Sequence, residues 1–428
     1  MEAIKDIQAE LMVIGSGMAG MAASLFAARR GIQTVQVGVA GEINFASGLL
    51  DVLGIHPLEK GFRRSDPWAG IKQLVRDEPL HPYSLLGIEQ IREAMDTCLA
   101  FLEQAGLPYR SNGRYNTNIL TPVGTIKTTY AVPVSMYAGA EALAARKPTL
   151  LVDFAGLKGF SARQITETLG QLWPGLRSGR ITWPNTGGEL YTEHMARHLD
   201  APGNRRKLAD AIQPHLGKAQ AVGLPAILGI YRTREIITDL ESALGVPVFE
   251  IPTMVPAVTG LRLREAFEQL LSRMGVRAFY QQRVLETQVM PSGEFVFLVG
   301  GQIPELRVRT SAAVLASGRF FGKGLRADRT RIRETIFDLP VDQPAERSLW
   351  HQKELFAPEG HLINRAGLAV DKSFRPVDDK GKVVHEHLHA AGSILAHQDW
   401  MRQKCGSGLA IATAFGAVNS MMARGNRM

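Results

Sequence analysis

Leu11-Met-Val-Ile-Gly15-Ser-Gly17-Met-Ala-Gly20 is the stretch that decides the fold. Leu11 to Ile14 is a short apolar run, the pattern of a strand buried on both faces. Ala19 to Arg30 is small or helix-favouring, and Gly31 ends it as a C-cap. Thr34 to Val39 is a second β-rich run. Strand, turn, helix and strand in about thirty residues open a βαβ unit. The turn itself reads GxGxxG. Gly15 permits the tight bend, Gly17 lets a pyrophosphate approach the backbone, and Gly20 lets helix and strand pack closely. The backbone of Ser16, Met18 and Ala19 completes a cradle whose helix N–H groups point at phosphate. After a strand and before a helix, this motif predicts a dinucleotide or flavin nucleotide. The alternative is a close-packed turn without ligand. One expected feature is missing. An acid normally ends the second strand, about 20 residues on, and holds the adenosine ribose. Gly38 stands there instead, so the ribose is held differently or the ligand lacks an adenosine.

Outward from that motif, the 428 residues suffice for two or three domains of about 100–200 residues. Apolar residues make up 45% and charged residues 21%, which excludes a disordered chain, a coiled coil or a disulfide scaffold. The 43 glycines exceed the average of about 7% and fall in clusters. Two cysteines, Cys98 and Cys405, are too few for an iron–sulfur cluster, which takes about four, and no metal site is expected. The net charge of +8 is scattered, with small runs at Arg63–Arg64, Arg205–Lys207 and Arg326–Arg333. That pattern fits a solvated surface better than a nucleic-acid groove. The first residues carry no signal-peptide pattern, and no apolar run is long enough to span a bilayer. A cytoplasmic chain follows, held to a membrane only through partners.

Further along, Ile88 to Gln104 has apolar residues at helical spacing, with Cys98 on the stripe. Lys147 to Phe154 reads as a buried strand. Leu261 to Met274 reads as a helix, and Arg277–Tyr280, Leu285–Met290 and Glu294–Val299 as strands. Two late strands, Ala312–Ala316 and His387–Ala391, run into Ser317-Gly318 and Gly392-Ser393. Gly406-Ser407-Gly408 opens a last small-residue helix. Such late returns place backbone N–H groups and a helix N terminus against a flavin ring. A nicotinamide enzyme does not need them, so flavin is the expected cofactor. The expected fold is α/β: a Rossmann-like flavin domain from residues 1–75 and 255–428, with an inserted substrate or partner domain at 76–254.

Several strings carry a resemblance. They are Phe45-Ala-Ser-Gly-Leu-Leu-Asp51, His81-Pro-Tyr-Ser-Leu-Leu-Gly87 and Thr121-Pro-Val-Gly-Thr125. Later ones are Leu315-Ala-Ser-Gly-Arg-Phe-Phe-Gly-Lys-Gly-Leu325, Phe356-Ala-Pro358 and Cys405-Gly-Ser-Gly408. With them the chain resembles, along nearly its whole length, the B subunit of the anaerobic glycerol-3-phosphate dehydrogenase complex. The resemblance implies a flavoprotein with the glutathione-reductase-like flavin fold, working with a catalytic flavoprotein, the A subunit, and an iron–sulfur, membrane-attaching C subunit. That complex oxidises sn-glycerol 3-phosphate to dihydroxyacetone phosphate and passes electrons towards menaquinone. The resemblance implies FMN, whereas the turn motif alone suggests FAD. Two other readings stay open: a self-sufficient flavin oxidoreductase on another small anionic substrate, and a scaffold protein of the complex without flavin.

The same reading singles out individual residues. Ser47 and Gly48 follow the second strand, where such flavoproteins turn the chain against the nucleotide. Asp51 caps a turn or holds a ribityl hydroxyl. His81 is a candidate acid or base, against a structural role in an X-Pro turn. Arg262 and Arg264 form a candidate anion fork, against a surface salt bridge. Arg319, Lys323, His397 and Asp399 are weaker cleft candidates. Cys98 reads as buried and inert, and Cys405, just before the last helix, as a small buried residue beside the flavin, against a reactive thiol at a helix N terminus.

Overall fold

The computed structural model describes residues 4–39, 42–184 and 189–425. Its main strands in chain order are β1 (Lys5–Ile14), β2 (Thr34–Gly38), β3 (Thr149–Phe154), β4 (Leu176–Ile181), β5 (Ala221–Pro225) and β6 (Val248–Ile251). They continue with β7 (Arg277–Tyr280), β8 (Arg283–Val289), β9 (Phe295–Gly300), β10 (Leu306–Leu315) and β11 (Leu388–Ala390). The main helices are α1 (Met18–Ala28), α2 (Ile88–Gln104), α3 (Val134–Ala145), α4 (Ala162–Leu169), α5 (Pro202–Leu216), α6 (Thr233–Leu244), α7 (Val258–Arg273) and α8 (Gly406–Gly425).

The chain divides into two compact units. The first contains residues 1–43, 51–101 and 267–428. Its sheet runs β7-β2-β1-β10-β9-β8, with β11 also paired to β10. β7, β2, β1, β10 and β11 are parallel, and β8 and β9 form an antiparallel flap on β10. The glycine turn therefore lies in a parallel α/β sheet, as the sequence pattern requires. β1 and β10 are buried along their last four residues because helices cover them. α1 is lined with alanine and packs against α8, where Phe26 meets Phe415 edge-on at 5.1 Å. Such a pair adds about 0.5–1.5 kcal/mol to the burial of each ring.

The second unit contains residues 44–50 and 102–266. Its sheet runs β4-β3-β5-β6, all parallel, with α4, α5 and α6 as the successive crossovers. Trp173, Phe154 and Phe249 fill its own core. The sequence shows β3 but not that it centres a separate doubly wound sheet.

The domain borders also differ from the expected 76–254. α2 belongs to the first unit as far as Phe101, which packs on Phe267 with ring centroids 5.0 Å apart. The insertion thus begins at 102. It runs to 266, because Arg262 is tied to Glu250 and Gly229 of the second unit. Residues 44–50 join it through Leu50, whose N–H donates to the Ala131 carbonyl at 3.0 Å.

Candidate flavin site

β1, β10 and β11 end level: Ile14 lies opposite Leu315, and Leu315 opposite Ala390. Gly15, Ala316 and Ala391 therefore leave the sheet side by side. The Gly15 N–H donates to the Val37 carbonyl at 2.7 Å, drawing in the end of β2. Gly15 has φ +134°, and a Cβ there would lie 2.1 Å from the Ala316 carbonyl oxygen. A Cβ on Gly20 would lie 2.1 Å from the Gly15 carbonyl oxygen. Both positions demand glycine for backbone approach. Gly17 differs: a Cβ there meets nothing within 4 Å, so space is open above it. Gly17 is also the N-cap of α1, and no side chain caps that helix. The first-turn N–H groups of Met18, Ala19 and Gly20 end beside open space at the positive end of the helix dipole, a fit for a phosphate.

The missing acid has a steric counterpart. A Cβ at Gly38 would come within 2.6 Å of the Ser16 nitrogen and 2.7 Å of its Oγ. The Ser16 hydroxyl donates to the Val39 carbonyl at 2.8 Å. Ser16 thus fills the place where an acid on β2 would begin.

The late segments border the same sheet edge. Gly318 has φ +69° and Gly392 φ +83°. A Cβ on Gly392 would lie 2.5 Å from the Ala19 Cβ, so this glycine sets the approach of the β11 loop to α1. The Gly392 N–H donates to Thr413 Oγ1 at 2.9 Å. The Ser393 carbonyl accepts from Gln398 Nε2 at 3.2 Å. Ser317 Oγ is buried without a hydrogen bond and faces Gly324. At the start of α8, next to Gly406, the Asp51 N–H donates to Ser407 Oγ at 2.7 Å, and the Gly408 N–H donates to the Asp51 carbonyl at 2.6 Å. Asp51 acts here through its backbone and occupies one of the N–H groups of that helix.

His81 is fully buried beneath this corner. Its Nδ1 accepts from the Tyr83 N–H at 3.2 Å, so Nε2 carries the proton and donates to Gln403 Oε1 at 3.3 Å. Burial pushes the imidazole down to about 3. Both ring nitrogens are thereby spent on the framework, which favours the structural reading of His81 over the catalytic one. Gln403, which the sequence did not single out, is the hub. Its backbone carbonyl accepts from Gly54 and Ile55, and its Oε1 also accepts from the Asp399 N–H at 3.1 Å. No motif marks a buried glutamine, so only the packing reveals it.

Ser47 and Gly48 group with the second unit. There the Gly48 carbonyl accepts from Tyr109 Oη at 2.7 Å, and Leu49 N–H donates to Ser47 Oγ at 3.4 Å. Arg262 is in the second unit as well. Its fork donates to both Glu250 oxygens, at 2.5 and 2.8 Å, and its Nε to the Gly229 carbonyl at 2.8 Å. Both side chains are buried. The fork expected for a substrate anion is filled by Glu250. Arg264 reaches Asn44 and Glu265. Arg319 donates to the carbonyls of Ile363 and Asn364. Asp399 caps a short helix by accepting from the Arg402 N–H, and His397 Nε2 lies 3.5 Å from Asp342. Burial raises the Cys98 thiol to about 12 and the Cys405 thiol well above its usual value, so both are inert. Among the described residues no group of side chains is arranged to hold a metal ion.

Residues 10–409 match the FAD binding domain family. A protein of Halobacterium salinarum, curated as the B subunit of a probable anaerobic glycerol-3-phosphate dehydrogenase, is 32% identical over 431 residues, covering 96% of this chain and 97% of that one. The chain belongs to that family. The corresponding B subunit of Pectobacterium atrosepticum is 29% identical, over 97% of this chain and 99% of its own. Among solved structures, 3-ketosteroid delta1-dehydrogenase of Sterolibacterium denitrificans is similar at 12% identity and a TM-score of 0.45, covering 97% of this chain and 100% of that one. With its flavin-binding domain and its α/β fold, this member of the B-subunit family is a flavin-dependent oxidoreductase. No helix among the described residues is long and apolar enough to cross a membrane.

Proposed function

We propose that this chain is the flavoprotein B subunit of an anaerobic glycerol-3-phosphate dehydrogenase complex. The observation that carries the reading is likeness over 96% of the chain to a curated B subunit. Oxidation of the secondary alcohol of sn-glycerol 3-phosphate to the ketone of dihydroxyacetone phosphate releases two electrons and two protons. The alcohol is oxidised in the catalytic A subunit, and this chain relays the electrons to the iron–sulfur C subunit and on towards menaquinone. The bound flavin supplies the ability to take up an electron pair and release it singly.

This chain's own residues hold and shield that group. The uncapped first turn of α1 takes the phosphate, with Gly17 leaving room for it. Gly38 and Ser16 leave no place for the acid that clamps an adenosine ribose, which supports FMN within a fold of the FAD-binding type. His81 and Gln403 hold the corner at the start of α8 and move no proton. Ser317, Gly318, Gly392, Ser393, Gly406 and Ser407 line the late returns. With Arg262 neutralised by Glu250 and His81 spent on Gln403, the reading as a self-sufficient enzyme on a small anion loses its support. The chain sits on the cytoplasmic membrane face through its partners. The test is to co-express it with its A and C subunits and release the cofactor by acid for mass analysis. A stable three-protein complex with one FMN in this chain is expected. A chain that stays alone and colourless overturns the proposal.

A further inference from the structure

Residues 316–387 join β10 to β11 with little regular structure: one short hairpin, Leu325–Ala327 with Ile332–Glu334, and a few single turns. Ordered connections this long are uncommon and generally functional. This one is strapped down from within. Arg319, directly after Gly318, donates to the carbonyls of Ile363 and Asn364, and Arg402 donates to the Pro358 carbonyl. His361 Nδ1 accepts from the Gln352 N–H at 3.0 Å, and its Nε2 donates to the Leu355 carbonyl at 3.0 Å. Arg347 donates to the Asp328 carbonyl at 3.2 Å, tying the hairpin to the rest.

Held in this way, the segment displays large apolar side chains outward: Phe321, Leu349, Leu355, Phe356 and Leu362 are all exposed, Phe356 at 91% and Leu355 at 76%. Five exposed large apolar side chains on one internally strapped segment exceed the single scattered ones that a monomer surface normally carries. Beside it the hairpin turns Arg326, Arg329, Arg331 and Arg333 to solvent, against Asp328 alone. The straps begin at the Gly318 loop and, through Arg402, end near Gly406, so the cluster adjoins loops assigned above to the flavin.

We propose that this apolar and arginine-edged face is the docking surface for the partner that takes electrons from the flavin, a protein with an apolar patch bordered by acidic residues. The inference rests on the reading of the chain as a flavoprotein of the complex and names the surface by which that relay is made. The arginine edge calls for an acidic counterpart. A protein is favoured over an anionic bilayer because the face is mixed in charge: Lys353, Glu354 and Glu359 flank the apolar tip, a uniformly anionic surface would repel both glutamates, and a protein can set its acids opposite the arginines alone. Exposed large anchors ringed by polar groups are the composition of a protein contact.

The test uses the full chain co-expressed with its iron–sulfur partner. Leu355→Ser combined with Phe356→Ser is expected to weaken association by about 100-fold or more in sedimentation, with flavin content unchanged. Arg329→Glu combined with Arg331→Glu is expected to slow association about 10-fold at low salt and to flatten its salt dependence. If the wild type forms the complex and both variants form it equally well, the docking proposal falls and the proposed function stands. If the wild type never associates, both fall. If the wild type alone pellets with vesicles containing phosphatidylglycerol and the double serine variant does not, lipid is the occupant and the protein-docking proposal is overturned.

Discussion

Replacing Gly38 by aspartate restores the residue type that the dinucleotide motif expects. In this chain it should weaken flavin binding. The new Cβ would stand 2.6 Å from the Ser16 nitrogen, about 0.8 Å short of ordinary contact. The Ser16 side chain can rotate away, but its backbone nitrogen can move only if the turn moves. Such overpacking costs about 1–3 kcal/mol. Losing the Ser16–Val39 hydrogen bond adds about 1 kcal/mol. The turn that moves is the one whose N–H groups face the phosphate. One misaimed charge-assisted hydrogen bond costs about 1.5–3 kcal/mol, or about 10- to 100-fold in affinity. Titrating apoprotein with FMN and with FAD, read by flavin fluorescence, should show both weakened by that factor. The conservative Gly38→Ala change should give a similar loss, since the first carbon makes the clash. A Gly38→Asp protein that folds normally and binds FAD more tightly than wild type would refute the steric reasoning and restore an adenosine clamp at this position.

Further predictions concern the framework. The imidazole of His81 lies at about 3 in the fold, well below its unfolded value near 6.5, so the unfolded chain binds the extra proton. Stability from this group is present above pH 6.5 and falls by about 2 kcal/mol between pH 6.5 and 5; urea unfolding should show that slope in wild type and a shallower one in His81→Asn. Glu250→Gln leaves Arg262 buried without its counter-charge and should cost about 3–5 kcal/mol, whereas the pair Glu250→Leu with Arg262→Met should recover most of it. If Arg262→Met instead left stability intact while abolishing turnover of the assembled complex, a substrate role for Arg262 would be favoured. Native protein at pH 8 should resist thiol labelling at Cys98 and Cys405 until urea opens the fold.

The parallel α/β sheet and its glycine turn were legible because period and punctuation are local: an apolar run, three glycines and a C-cap read in order. The strand Arg277–Tyr280 and the helix Ile88–Gln104 were legible to the residue for the same reason. A middle insertion was legible too, but its borders were not, since they depend on which long-range partner each stretch finds. Phe101 finds Phe267, Arg262 finds Glu250, and neither pairing leaves a trace in spacing. The candidate site shows the same split. Its glycines were marked by motif, whereas Gln403 and the Asp51 carbonyl act through burial and backbone, which residue type does not announce. His81 and Arg262 stood out because their side chains can do chemistry. The fold sets those side chains against internal partners.

The most direct test is an anaerobic absorbance experiment on this chain's flavin. Purified alone, the chain should carry about one flavin per molecule and stay oxidised when sn-glycerol 3-phosphate is added. With its catalytic partner present, the same addition should bleach that flavin, and adding the iron–sulfur partner with a menaquinone analogue should restore the colour. Bleaching of the isolated chain by the substrate, with dihydroxyacetone phosphate formed in equal amount, would contradict a relay and make this chain the dehydrogenase itself.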